Sequence, residues 1–162
     1  MITIRRAVEA DFAALWPILR DVFCAGTTYA VDPAISRDAA FAYWMQQPAA
    51  TYVALLDDGV VGTYYLRSNQ PGGGAHICNC GYIVAPAARG QGLAAQMCLH
   101  SQDQARAMGY LAMQFNFVLA SNAGAVRLWH RLGFATIGTI PDAFRHPEQG
   151  FVAAYVMHKR LT

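Results

Sequence analysis

Charge is scarce in this chain. Ten Asp and Glu and twelve Lys and Arg make up 14 % of its 162 residues, for a formal net charge of +2. So small an imbalance offers no electrostatic footprint for nucleic acid or an anionic membrane surface, and neither is expected as a partner. Ten carboxylates also leave no broad acidic surface for a polycationic acceptor. Lysine is nearly missing, since Lys159 is the only one. No apolar run approaches the ~18 residues of a membrane span. The opening segment, MITIRRAVEADF, has no apolar leader core, so no secretory leader is expected. Cysteine is limited to Cys24, Cys78, Cys80 and Cys98, with no C-x-x-C pair. Cys78 and Cys80 lie two apart in an expected strand, which is not zinc-ligand spacing, so no metal is expected. Buried free thiols fit a reducing, cytoplasmic setting. Repeats, linkers and low-complexity segments are absent.

What is present is apolar: 55 % of the chain is hydrophobic, enough for one well-filled core over residues 1–162. Ile2 to Arg6 alternates as a strand. Phe12, Leu15, Trp16, Leu19 and Phe23 recur at helical spacing, with Pro17 expected to kink that helix. A loop, AGTTYAVDP, follows, and Ser36 is expected to cap a second helix that Pro48 ends. Strands are expected over Thr51–Leu56 and Val60–Leu66, joined at Asp58-Gly59. Another is expected over Ala75–Val84, and a helix from Gly90 to about Met108, closed by Gly109. Leu111–Leu119 reads as a strand, Asn122 to Leu132 as a capped helix, and Phe134–Ile140 and Phe151–His158 as strands about a loop, PDAFRHPEQG. The order βααβββαβαββ implies an α/β (α+β) domain with a mixed, mostly antiparallel sheet of about seven strands and helices on both faces.

The stretch Gly81–Met97, GYIVAPAARGQGLAAQM, carries the most chemistry. It reads as a strand, a glycine turn and a helix start. Gly90 and Gly92 let the backbone approach a ligand, and a helix N-terminus offers free N–H groups and a positive dipole end to an anion. Gly90 to Ala95 formally matches the dinucleotide fingerprint G-x-G-x-x-A. That fingerprint needs an acid ~20 positions on, and no Asp or Glu lies between Asp103 and Asp142. A triphosphate loop needs a lysine after Gly92, and there is none.

Arg89 to Ala94 also reads R-x-x-G-x-A, preceded by Val84-x-Pro86. Later come Asn122, Ala125, Leu128, Trp129, Gly133 and Phe134 in the pattern N-x-x-A-x-x-L-[YW]-x-x-x-G-F. On these paired motifs the chain resembles the GNAT N-acetyltransferase superfamily. The resemblance implies a GNAT-like twisted sheet and acetyl-CoA as the donor. Its pyrophosphate would lie on Arg89, Gly90, Gln91, Gly92, Leu93 and Ala94, and its pantetheine along Ile83 and Val84. Asn122 and Trp129 would complete the acetyl-CoA contacts. Many members of the family place a proton-donating Tyr where this chain has Trp129, and an indole N–H is no useful proton source. The reaction implied is direct transfer to an amine.

The acceptor side is read from other residues. Asn79-x-Gly81-Tyr82, Phe115-Asn116-Phe117-Val118 and Ile137-Gly138-x-Ile140-Pro141 resemble the subgroup that includes fungal N-acetyltransferases of proline analogues. That resemblance makes Asn79 and Asn116 the acceptor-orienting candidates. His76, on the expected strand entering the site, is the candidate general base, although strand parity sets it with Cys78 and Cys80 on the face opposite Asn79. Thr28, Tyr29, Arg145 and His146 are the loop groups able to meet a small polar substrate, Arg145 through a carboxylate. A small-molecule amine is thus expected. Two other readings stay open: a non-catalytic acyl-CoA-binding or sensor domain, and acetylation of peptide N-termini. A homodimer is common among such relatives, and no sequence feature decides it.

Overall fold

The computed structural model describes all residues, Met1–Thr162. Strands are β1 (Ile2–Arg6), β2 (Ala50–Leu56), β3 (Gly59–Ser68), β4 (Ile77–Val84), β5 (Ala112–Leu119), β6 (Ala135–His146) and β7 (Gly150–Arg160). Helices are α1 (Phe12–Ala25), α2 (Arg37–Phe41), α3 (Leu93–Ala107) and α4 (Ala123–Arg131). The strands form one seven-stranded sheet in the order β1-β2-β3-β4-β5-β7-β6. All neighbours are antiparallel except β4 and β5. α3 is the crossover that this parallel pair requires. The expected fold class is thus the observed one.

Strand alternation divides the core into two layers. On one face Phe12, Leu15, Leu19 and Trp44 of the α1–α2 side pack on Val53, Tyr65 and Ile83. On the other, Met97 and Cys98 of α3 and Trp129 of α4 pack on Tyr64, Leu66 and Cys80. Trp44 is anchored by polar bonds as well as by burial: its Nε1 donates to Thr63 Oγ1 at 2.9 Å, and Thr63 Oγ1 donates to the Tyr52 carbonyl at 2.8 Å. No helix is long and apolar enough to cross a membrane.

Several local expectations need correction. The expected loop from Pro141 is strand as far as His146, and the hairpin turns at 147–149. Pro141 and Asp142 fit because β6 carries extra residues between Ile140 and Phe144 relative to β7, with Asp142 at φ +47°. A bulge leaves the missing proline N–H outside the ladder. β4 begins at Ile77 rather than Ala75, so His76 lies in the preceding turn. α3 begins at Leu93 rather than Gly90, because Gly90 and Gly92 hold φ of +75° and +77°. Three of the four free cysteines are buried as expected, but Cys24 is exposed.

Candidate functional site

The site arises where the sheet opens. β4 and β5 pair only at Ile77↔Ala112 and Cys78↔Met113, and then diverge. β5 also carries a bulge against β7 between Phe115 and Val118. Asn79 sits at its apex, where its Nδ2 donates 2.9 Å to the Gln114 carbonyl of β5. A side chain thereby satisfies a backbone acceptor that the opened ladder leaves without a strand partner. The resulting cleft has a volume of about 660 Å³.

The ladder fixes which backbone groups face this cleft. The Ala85 N–H donates to the Val61 carbonyl, and the Asn69 N–H donates to the Ile77 carbonyl. Odd-numbered residues of β4 therefore bond β3, and the N–H and C=O groups of Tyr82 and Val84 turn the other way. Two of these carbonyls already have partners: the Tyr29 hydroxyl donates to Tyr82 O at 3.0 Å, and Arg89 Nε donates to Val84 O at 3.4 Å. Ile83, whose side chain is 3 % exposed, belongs to the β3-facing set, although it lines the cleft. Val84 is the better placed of the two for backbone contact with a ligand.

At the end of β4 the cleft runs into a second hollow of about 380 Å³, lined by Arg89, Gly90, Gly92, Leu93 and Ala94. A Cβ built on Gly90 or Gly92 meets nothing within 4 Å, so this turn faces open space. The first intrahelical bond of α3 is Gln96 N–H to Gly92 O, which leaves the earlier N–H groups pointing out of the helix end. Arg131 at the end of α4 adds a second guanidinium to the same hollow. Gln91 is exposed, donates to the Ala87 carbonyl at 3.4 Å and is not part of the lining.

Asn122 lines the cleft and caps α4, its Oδ1 accepting from Ala125 N–H at 3.4 Å. Loss of such a cap costs about 1 kcal/mol. Asn122→Ala should therefore lower the melting temperature by about 2–4 °C, whereas Asn122→Asp should leave it near the wild-type value in the same thermal melt. Trp129 forms the adjoining wall, its ring 5.2 Å from Tyr82 and 5.1 Å from Phe115.

The other predicted residues divide. Thr28, Tyr29, Asn79 and Asn116 all line the cleft. Asn116 is exposed at its rim, where Nδ2 donates to Asn69 Oδ1 at 2.6 Å and Oδ1 accepts from Gln114 Nε2 at 3.0 Å. His76 is exposed and does not line the cleft, because β4 is regular and no bulge brings it to the face of Asn79. Arg145 lies on β6 with its guanidinium 4.9 Å from the Phe151 ring, away from the cleft lining. His146 is buried, and its Nδ1 accepts from the N–H groups of Glu148 and Gln149, closing the hairpin turn.

Sequence reading missed Tyr43, Tyr65, Phe117 and Arg131. Strand pairing brings Tyr65 under the cleft, and the helical segment 42–46 that follows α2 lays Tyr43 beside it. Asp21 is the sole carboxylate of the lining, exposed on α1, and no imidazole reaches it. Burial, followed by the neighbouring Tyr65 and Tyr43, pushes the Tyr29 phenol well above its ordinary range. Burial does the same to Tyr65, Tyr82 and the Cys80 thiol. These groups remain protonated near neutrality.

The model of the acetyltransferase (GNAT) family matches residues 14–134. The N-acetyltransferase aca1 of Schizosaccharomyces pombe is 37 % identical over 98 residues, covering 60 % of this chain and 47 % of that protein. The chain thus spans about half the length of this curated relative. A GCN5-related N-acetyltransferase from Kribbella flavida superposes with a TM-score of 0.93 at 42 % identity, over 98 % of this chain and 97 % of the other. A phosphinothricin acetyltransferase from Sinorhizobium meliloti, solved in complex with acetyl-CoA, shares the fold at a TM-score of 0.85 and 20 % identity, over 98 % and 88 % of the two chains. With three quarters of its length matched by the family model and its fold shared end to end, the chain belongs to the acetyltransferase (GNAT) family, a family of acyltransferase enzymes.

Proposed function

We propose that the chain is an acetyl-CoA-dependent N-acetyltransferase that acts by direct transfer on a small amine or amino-acid-like acceptor. The observation that carries this reading is the opening of β4 from β5 directly beside the Gly90–Gly92 turn. Acetyl-CoA, when bound, supplies a thioester acetyl group to an amine nitrogen. The N–H groups at the start of α3, with Arg89 and Arg131, would hold its pyrophosphate. The freed edge of β4 at Tyr82 and Val84 would pair with the pantetheine amides, and a backbone N–H there can stabilise an oxyanion. Asn79 and Asn116, both at the cleft, would orient the acceptor without adding charge. Their presence supports the proline-analogue subgroup. The four free cysteines support a cytoplasmic setting.

With no imidazole in the lining, its one carboxylate, Asp21, exposed on α1, and the Tyr29, Tyr65 and Tyr82 phenols held protonated, the acceptor reacts as the free amine or loses its proton to water. A protonated amine has no lone pair, so kcat/KM should rise about tenfold per pH unit up to the acceptor's own pKa and then level off. A change of acceptor should move this limb by the difference in amine pKa. An inflection that stayed near pH 6–7 for every acceptor would instead require an enzyme base. The basic test is thiol release from acetyl-CoA across a panel of amines, with turnover expected for at least one small amine. The absence of an imidazole from the lining, with its one carboxylate exposed on α1, favours a second reading, a non-catalytic acyl-CoA-binding domain. It would show acetyl-CoA-dependent stabilisation with no turnover on any acceptor.

A further inference from the structure

One cation near the cleft lacks a counter-ion. Arg67 lies on β3, two residues beyond Tyr65 on the same face and directly opposite Asn79 in the β3–β4 register. Its guanidinium carbon stands 4.9 Å from the Tyr65 ring centre and 5.6 Å from that of Tyr43, two rings that also line the cleft. The side chain is half-buried, and its Nε is sealed from solvent without a hydrogen-bond partner. Nη2 makes only a 3.5 Å contact to the Tyr43 carbonyl. None of the ion pairs in the fold involves it.

Nε is closed off behind the rings, but Nη1 is neither sealed nor hydrogen-bonded, and a guanidinium without an acidic partner is the group that carboxylates pair with. Aromatic rings hold it in place but do not satisfy its N–H groups. The fold spends no acid on this cation, and its neighbour Asn79 has already committed Nδ2 to β5. We infer that Arg67 recognises a carboxylate on the acceptor, so that the substrate is an amino or imino acid rather than a simple amine. This rests on the N-acetyltransferase reading above. Pantetheine laid along β4 from the glycine turn points the thioester toward the apex at Asn79. Arg67 stands just behind the cleft lining, and an amine beside Asn79 would send an amino acid's carboxylate one strand over, toward its register partner Arg67. Arg145, expected from sequence to fill this role, is occupied with Phe151 on the β6–β7 hairpin.

The test compares free amino acids with their carboxamides, using wild type, Arg67→Met and Arg67→Lys. Thiol release is measured first, followed by calorimetric binding of the same compounds to the CoA-loaded protein. Wild type should prefer the acid over its amide. Arg67→Met should raise KM for the acid by about 10–100-fold, as expected for loss of charge-assisted bonds, with the amide and acetyl-CoA little affected. Arg67→Lys should recover part of the loss. Equal use of acid and amide by wild type overturns the inference and leaves N-acetylation standing. Equal loss of acid and amide in Arg67→Met also overturns it, since Arg67 would then only pack the aromatic wall. If no compound turns over but acids bind in an Arg67-dependent way, N-acetylation fails and carboxylate recognition stands. Absence of both turnover and Arg67-dependent binding overturns it.

Discussion

Gly92→Asp should weaken acetyl-CoA binding by at least ~100-fold while leaving the protein folded. Gly92 holds φ +77° and ψ 8° as the N-cap of α3, and an added Cβ meets nothing within 4 Å. Asp tolerates this left-handed conformation better than most residues. A carboxylate at a helix N-cap is itself stabilising, because it accepts free N–H bonds and meets the positive end of the dipole. That same contact places a negative charge where the pyrophosphate would lie. Two like charges about 4 Å apart repel by about 4 kcal/mol at an effective dielectric constant of 20, well beyond the ~2.7 kcal/mol that a 100-fold loss requires. Gly92→Asn, similar in shape but neutral, should lose far less. Acetyl-CoA titrations followed by thermal melts separate the effects. Strain alone would lower the melting temperature of the free protein, and charge alone would abolish the ligand-induced rise. Equal affinity in wild type and Gly92→Asp would remove the anion site from this turn.

Gly81→Ala should damage the acceptor side of the same cleft. The new Cβ would lie 2.6 Å from Tyr65 Cε1, 2.9 Å from Tyr65 Cζ and 3.0 Å from the Tyr29 hydroxyl. Tyr65 has little room to retreat. It is 5 % exposed, its ring meets Trp44 edge-on at 4.8 Å, and Arg67 stands over it. Overpacking of this kind costs about 1–3 kcal/mol, or about 2–4 °C of melting temperature for each kcal/mol in a chain of this size. The catalytic effect should be larger, because Tyr65 and Tyr29 both line the cleft and Tyr29 also bonds the Tyr82 carbonyl. Acceptor kcat/KM should fall more than about tenfold, with acetyl-CoA affinity at the Gly92 turn less affected. Gly73→Ala is the control, since its Cβ enters open space and its backbone is not left-handed. A Gly81→Ala protein with wild-type stability and acceptor kinetics would show that the packing beneath the cleft is not limiting.

The glycine turn and the α4 cap were readable because their signals are local. Gly90 and Gly92 supply left-handed backbone, Asn122 supplies a cap, and each lies within a few residues of the helix it starts. The other side of the cleft depends on pairing between distant segments. Arg67 becomes interesting only once β3 sets it opposite Asn79 and the α2 region lays Tyr43 beside it. His76 was misjudged by where β4 begins, a displacement of two residues that keeps it in a turn. Arg145 was misjudged because Pro141 signals a loop, and only the unequal residue count of β6 and β7 shows the bulge that absorbs it. The order of elements and the two apolar faces were fixed by periodicity and turn chemistry, which tolerate such boundary errors.

The most direct test is a crystal structure of the protein with CoA and a free amino acid. The pyrophosphate is expected on the N–H groups from Gly90 to Ala94 and the pantetheine in the opening between β4 and β5. The CoA sulfur should lie within reach of the acceptor nitrogen, beside Asn79. CoA bound elsewhere, or β4 and β5 paired to their ends with CoA excluded from the cleft, would contradict it.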